Sequence, residues 1–176
     1  MPTTLIAFGR RGHRYAALAL AILLVGTGAL AGCSSSSHTR VRAETQACSS
    51  RVLYGTLPVW ARAGFSNPKP RMPHVLSASG KITAILWANP LLSPPPRDHS
   101  NKILWVARAA DSSGSDLLIS AQRMNGASKI GSPVARRLSG GPGPSIINMP
   151  AAGCWRFTLR WGGRRDAIDL RYVANR

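Results

Sequence analysis

Residues 154–161 alternate without exception: Trp155, Phe157, Leu159 and Trp161 are apolar, and Cys154, Arg156, Thr158 and Arg160 lie between them. A period of two puts the aromatic set on one face of a β-strand and the others on the opposite face. Gly162-Gly163 follows, two residues that adopt positive φ without steric cost, as a tight hairpin turn requires. Ile168, Leu170 and Tyr172 then return on the apolar face. If those two glycines are the whole loop, Phe157 faces Ile168, Trp155 faces Leu170 and Arg156 faces Asp169. A four-residue loop would preserve the faces but set Arg156 against Arg171. The opposite-charge pairing favours the tighter turn.

The rest of the chain carries the same kind of signal in shorter pieces. Lys81-Ile82-Thr83-Ala84-Ile85-Leu86-Trp87-Ala88 and Lys102-Ile103-Leu104-Trp105-Val106-Ala107-Arg108 are short, β-branched or aromatic, and apolar on both faces, which predicts buried strands. Asn89-Pro90 and Pro94-Pro95-Pro96 force a loop between them. Residues 117–124 place Leu117, Ile119 and Ala121 on one face and Ser120 and Gln122 on the other, a half-exposed strand. From Arg51 onward no window of apolar residues at helical spacing is long enough for a helix. The expected fold is all-β, an antiparallel immunoglobulin-like β-sandwich after an N-terminal signal segment. Cys48 and Cys154 are too far apart in sequence for the usual immunoglobulin bridge across the two sheets, and Cys154 lies on the face opposite Trp155. A disulfide between them is expected to staple an edge, since an exported compartment lets such a pair persist, with two separate free thiols as the alternative. Trp87, Trp105, Trp155 and Trp161 fall inside apolar strand patterns and are assigned to the core. Trp60 is the aromatic left for a ligand.

Export is read from the N-terminus. Arg10, Arg11 and Arg14 precede an uncharged run over residues 15–32 whose apolar core is Leu18-Ala19-Leu20-Ala21-Ile22-Leu23-Leu24-Val25, the layout of a secretory signal. A retained anchor is the alternative, the run being at the lower edge of the roughly 17–25 residues that cross a bilayer. Leu30-Ala31-Gly32-Cys33 resembles the lipobox of bacterial lipoproteins. That resemblance implies cleavage before Cys33, a diacylglyceryl group on its thiol, and attachment to the outer face of the cell membrane or to the outer membrane. Arg10-Arg11 also begins like a twin-arginine signal, but Gly12-His13 stands where such a signal has an apolar residue. Residues 33–47, with Ser34-Ser35-Ser36-Ser37, are expected to be a flexible tether, and residues 48–176 one domain. Within that domain, Leu57-Pro58-Val59-Trp60-Ala61-Arg62-Ala63-Gly64-Phe65, residues 101–108 and residues 143–156 are similar to blocks of exported bacterial proteins of no established activity. The resemblance implies the fold and export and assigns no site.

Of 23 basic residues only Arg10, Arg11 and Arg14 precede Cys33, and all 6 acids follow it, so the exported part carries about +14. That excess attracts polyanions, and outside a bacterial membrane these are phospholipid headgroups, wall polymers or lipopolysaccharide, with nucleic acid not expected. Arg136, Arg137, Arg164 and Arg165 are the candidate anion contacts. The bias of 19 Arg to 4 Lys, spread along the chain, is equally what an arginine-rich codon pool produces. Catalytic tools are few: His74, His99 and five aspartates. Asp98-His99-Ser100 holds the residue types of a hydrolase triad, but consecutive side chains rarely converge. Residues 111–116 lack the carboxylate spacing of a calcium loop, and Gly140-Gly141-Pro142-Gly143-Pro144 lacks the Lys-Ser/Thr of a phosphate loop. No catalytic residue, metal site or cofactor is expected. The leading expectation is a lipid-anchored binding or structural module of the cell envelope whose partner, an envelope protein or an anionic polymer, the sequence does not name. The alternative is an electrostatic binder of anionic envelope polymer or phospholipid, and steep salt sensitivity separates the two.

Overall fold

The C-terminal hairpin forms in the tighter register, with Phe157 opposite Ile168, Trp155 opposite Leu170 and Arg156 opposite Asp169. The computed structural model describes residues 48–108 and 114–175, so the expected signal segment, Cys33, the expected tether and Asp111 lie outside the described residues. Among the described residues the strands are β1 (His74–Leu76), β2 (Ile82–Leu86), β3 (Leu91–Ser93), β4 (Lys102–Ala107), β5 (Leu117–Asn125), β6 (Ser128–Leu138), β7 (Pro144–Ile146), β8 (Gly153–Trp161) and β9 (Arg164–Ala174). They build a small sheet in the order β1-β2-β4-β7 and a large one in the order β3-β9-β8-β5-β6. Every pairing is antiparallel except that of β3 with β9.

The sheets meet on their apolar faces. Ile82, Ala84 and Leu86 of β2 and Trp105 of β4 are buried in one cluster with Leu117, Ile119, Phe157, Leu159 and Ile168 of the large sheet. Phe157 sits with its ring centroid 6.0 Å from Trp105 and 6.4 Å from Tyr172. The polar handles of these rings are satisfied, as buried Trp and Tyr require: Trp105 Nε1 donates to Ser145 Oγ at 3.0 Å, Trp155 Nε1 to the Ala151 carbonyl at 2.9 Å, and the Tyr172 hydroxyl to the Ile147 carbonyl at 2.7 Å. Burial pushes the Tyr172 hydroxyl pKa far up, so it stays a donor.

Two tryptophans depart from their expected places. Trp87 lies just beyond β2 on the face of Thr83 and Ile85, away from the central cluster, and is 50% exposed. It stacks on Phe65 with centroids 6.3 Å apart, and Lys102 Nζ lies 5.1 Å from the ring centre. Trp60 is half-buried within the single 3-10 turn Val59–Ala61. The exposed tryptophan among the described residues is therefore Trp87.

The proline-rich stretch expected to be only loop contains β3. Its pairing is held by Asn101, fully buried, whose carboxamide accepts from the Leu92 N–H and donates to the Leu92 carbonyl, both at 2.8 Å. β6 is an exposed edge strand, and such edges invite pairing with other chains. Between its pairs Val134–Ala121 and Ile130–Arg123 it carries extra residues, including Pro133 and Gly131 at φ 62°. Gln122 Nε2 donates to the Ile130 and Gly131 carbonyls of this bulge at 2.8 and 3.1 Å. Bulge, proline and Lys129, Arg136 and Arg137 together blunt the edge.

The Sγ atoms of Cys48 and Cys154 are 1.96 Å apart and their Cα atoms 5.3 Å. Cys154 is on β8, an interior strand, and points to the outer face of the large sheet, so the bridge does not attach to an edge strand. What it does is bring residues 48–50 across β9. The Ser49 hydroxyl donates to Asp169 Oδ2 at 2.6 Å, and Ser50 Oγ accepts from the Asp169 N–H at 2.9 Å. Next along β9, the Ala78 N–H donates to the Ala167 carbonyl at 2.9 Å, and Ser79 donates to Asp166 from both its N–H and its hydroxyl. These groups cover the length of β9 that the short β3 does not reach.

Burial alone would raise both carboxyls. Hydrogen bonds from Ser77, Ser79 and Ala167 outweigh it at Asp166, and those from Arg156 and Ser49 outweigh it at Asp169, leaving both below the usual range. A carboxyl whose folded pKa lies below its unfolded value of about 3.9 contributes fully above that pH, and the contribution is lost as pH falls through the folded pKa. Urea unfolding should therefore show stability flat near neutrality and declining below about pH 4, with the decline reduced in Asp166→Asn/Asp169→Asn. An unchanged decline in that variant would remove both carboxyls from the acid response.

Candidate functional site

The register of the large sheet builds a cationic face that no short stretch of chain contains. On the side away from the core, Arg137 of β6 lies opposite Leu118 of β5, Leu118 opposite Arg160 of β8, and Arg160 opposite Arg165 of β9. The next row is small: Ala135, Ser120, Thr158 and Ala167. Beyond it come Gln122, Arg156 and Asp169, and then Lys129, Met124, Cys154 and Arg171. Small side chains between two rows of large ones leave a trough of about 580 Å³ whose lining includes Leu118, Lys129, Arg156, Arg160 and Arg165. It shares Leu118, Arg160 and Arg165 with a shallower hollow of about 530 Å³ at the β8–β9 turn.

Arg156 and Arg137 are each matched by a carboxylate. Arg156 forms a two-pronged ion pair with Asp169, Nε to Oδ1 at 2.8 Å and Nη2 to Oδ2 at 3.0 Å, and the bond raises the arginine's pKa. Arg137 pairs with Asp116. The Gly140 N–H, 3.0 Å away, and then Arg137 hold the Asp116 carboxyl below its ordinary value. Among the described residues no carboxylate pairs with Arg160, Arg165 or Lys129. Arg160 and Arg165 are nevertheless directly opposed across two hydrogen-bonded strands, where like charges destabilise a sheet. An anion seated between them relieves that repulsion, and a planar guanidinium suits phosphate or carboxylate oxygens.

Of the four arginines expected to contact anions, Arg137 and Arg165 are on this face. Arg136 lies opposite Ile119 and Arg164 opposite Trp161, both inward-pointing residues, so these two are on the other side of the sheet. The reason is the period of two: neighbours in a strand cannot share a face. Arg160, Lys129 and Leu118 were missed. Arg160 was within reach, because the register that sets Arg156 against Asp169 also sets Arg160 against Arg165.

No protein-family model, no curated protein and no solved structure matches this chain. The assignment of a role therefore rests on the site's own chemistry.

The other candidate groups are engaged elsewhere. His74 is buried, with Nδ1 2.8 Å from the Met72 carbonyl, and His99 Nε2 is 3.2 Å from Asn101 Oδ1. Neither imidazole bonds to a carboxylate among the described residues. Asp116, at the end of the faint cation-loop pattern, is bound to Arg137 and Gly140 instead. Among the described residues no three of His, Cys, Asp and Glu cluster as a metal site would require.

Proposed function

We propose that this chain is an exported lipoprotein, anchored through Cys33, whose immunoglobulin-like sandwich binds an anionic component of the cell envelope on the outer face of its large sheet. The lipobox resemblance and the basic excess support export and a polyanionic partner. The immunoglobulin-like label is supported by the chain's crossing after β2 into the large sheet as β3, parallel to the last strand, β9, before it returns to the small sheet as β4. The observation that carries the binding role is the opposed pair Arg160 and Arg165, lacking a carboxylate among the described residues and sharing a trough with Lys129. A sheet stabilised only for its own sake would not set these two charges against each other.

The pair gives a test in which stability and binding move in opposite directions. Arg160→Thr should raise the unfolding free energy by about 0.2–1 kcal/mol. Arg160→Thr/Arg165→Thr should weaken binding to soluble polyphosphate about tenfold or more, measured by calorimetry at constant salt. Undiminished affinity in the double variant would overturn the assignment. A second reading, docking of a partner protein, is favoured by the exposed Trp87 stacked on the half-buried Phe65, and its binding should be insensitive to salt.

A further inference from the structure

We infer that the anionic component is the surface of the bilayer that holds the anchor, and that the sandwich lies on it with the outer face of the large sheet down. This inference rests on the anion-binding reading given above and names the source of the anions.

Two observations point to a membrane rather than a soluble polymer. The first is where the chain enters. Cys48 is bonded to Cys154, and Cys154 projects from the outer face of the large sheet in one row with Lys129 and Arg171. Residues 33–48 can span at most about 55 Å in any conformation. The acylated residue is thus joined to the domain on its cationic side, and that side can lie on the headgroups without the chain passing around the body. A domain held on a second face would need part of that span to go round its edge.

The second observation is Leu118. It is 46% exposed and stands in the cationic row between Arg137 and Arg160, the one apolar residue of the four. A polyphosphate chain offers it nothing. A bilayer surface accommodates both chemistries at once, because guanidinium groups meet phosphates at headgroup level while an apolar side chain reaches the acyl boundary below. The row also extends across four neighbouring strands, and an extended row fits a plane of lipid phosphates as well as it fits any single ligand. Anionic lipid contributes at each arginine near the surface, about fivefold in partitioning per residue.

The test uses the full chain with Leu118→Cys, and separately Ile146→Cys as the control. Ile146 is 62% exposed on the outer side of the small sheet, opposite Lys102. Each protein is reconstituted into phosphatidylglycerol or phosphatidylcholine vesicles and treated with a water-soluble maleimide, and the label is assigned by peptide mass spectrometry. Position 118 should react about tenfold more slowly on phosphatidylglycerol than on phosphatidylcholine, with protection lost at about 0.5 M salt. Position 146 should react equally on both. Arg160→Thr/Arg165→Thr in the Leu118→Cys background should restore labelling. Equal labelling at 118 on the two lipids, together with protection by soluble polyphosphate, would overturn the membrane inference and leave the anion-binding role standing. Protection by neither would overturn both.

Discussion

Phe157→Ala should lower the unfolding free energy by about 3–5 kcal/mol, among the largest losses expected from a single side chain here. Phe157 is wholly buried on β8, with Trp105 from the opposite sheet on one side and Tyr172 of β9 on the other. It is where the two sheets hold each other. Truncation removes a ring's worth of burial and leaves a void lined by two large rings. Tyr172 is tied to the Ile147 carbonyl and Trp105 to Ser145, so neither is free to move into the space. Incomplete collapse puts a substitution toward the expensive end of its range. Urea denaturation followed by tryptophan fluorescence measures the effect directly. A loss below about 1.5 kcal/mol, typical of volume-conserving swaps, would mean that the interface between the sheets lies elsewhere.

Cys48→Ala/Cys154→Ala should cost about 2–5 kcal/mol. The bridge closes a loop with a sequence separation of 106 residues, and in the chain-entropy model a loop of about 100 residues approaches 4.7 kcal/mol. The structure adds a local consequence. Residues 48–50 supply the Ser49 hydroxyl to Asp169 and Ser50 Oγ to the Asp169 N–H, and without the bridge those bonds must be held by the segment alone. Amide exchange at Asp169 should accelerate more than at Ile119 on β5, which is paired on both sides. Uniform acceleration of both amides would show that the bridge acts only through the unfolded chain. Unchanged stability under reducing conditions would show that it is not formed.

What could be read from the sequence was whatever several local signals agreed on. At residues 154–172 the alternation, the glycine pair and the Arg156–Asp169 match all give one register, and that register is found. β2, β4 and β5 were legible for the same reason. β6 was not, because only Val134 and Leu138 touch the core and the remainder faces solvent on both sides, leaving no alternation to see. β3 was hidden because its partners are supplied from a distance, by Asn101 and by β9. The cationic face was half legible. Clusters read along the chain paired Arg136 with Arg137 and Arg164 with Arg165, whereas a sheet assembles its faces across strands. Trp87 was misplaced because a strand apolar on both faces does not say which face lies against the other sheet.

The salt dependence of binding is the most direct measurement of the account's central claim, that the outer face of the large sheet holds anions. If Arg160, Arg165 and Lys129 neutralise phosphates, the logarithm of the association constant for polyphosphate should fall linearly with the logarithm of salt concentration, with a slope of about −2 to −3. The slope should approach −1 in Arg160→Thr/Arg165→Thr, where only Lys129 is left. A slope near zero in the unaltered protein, or one that the double substitution does not change, would contradict it.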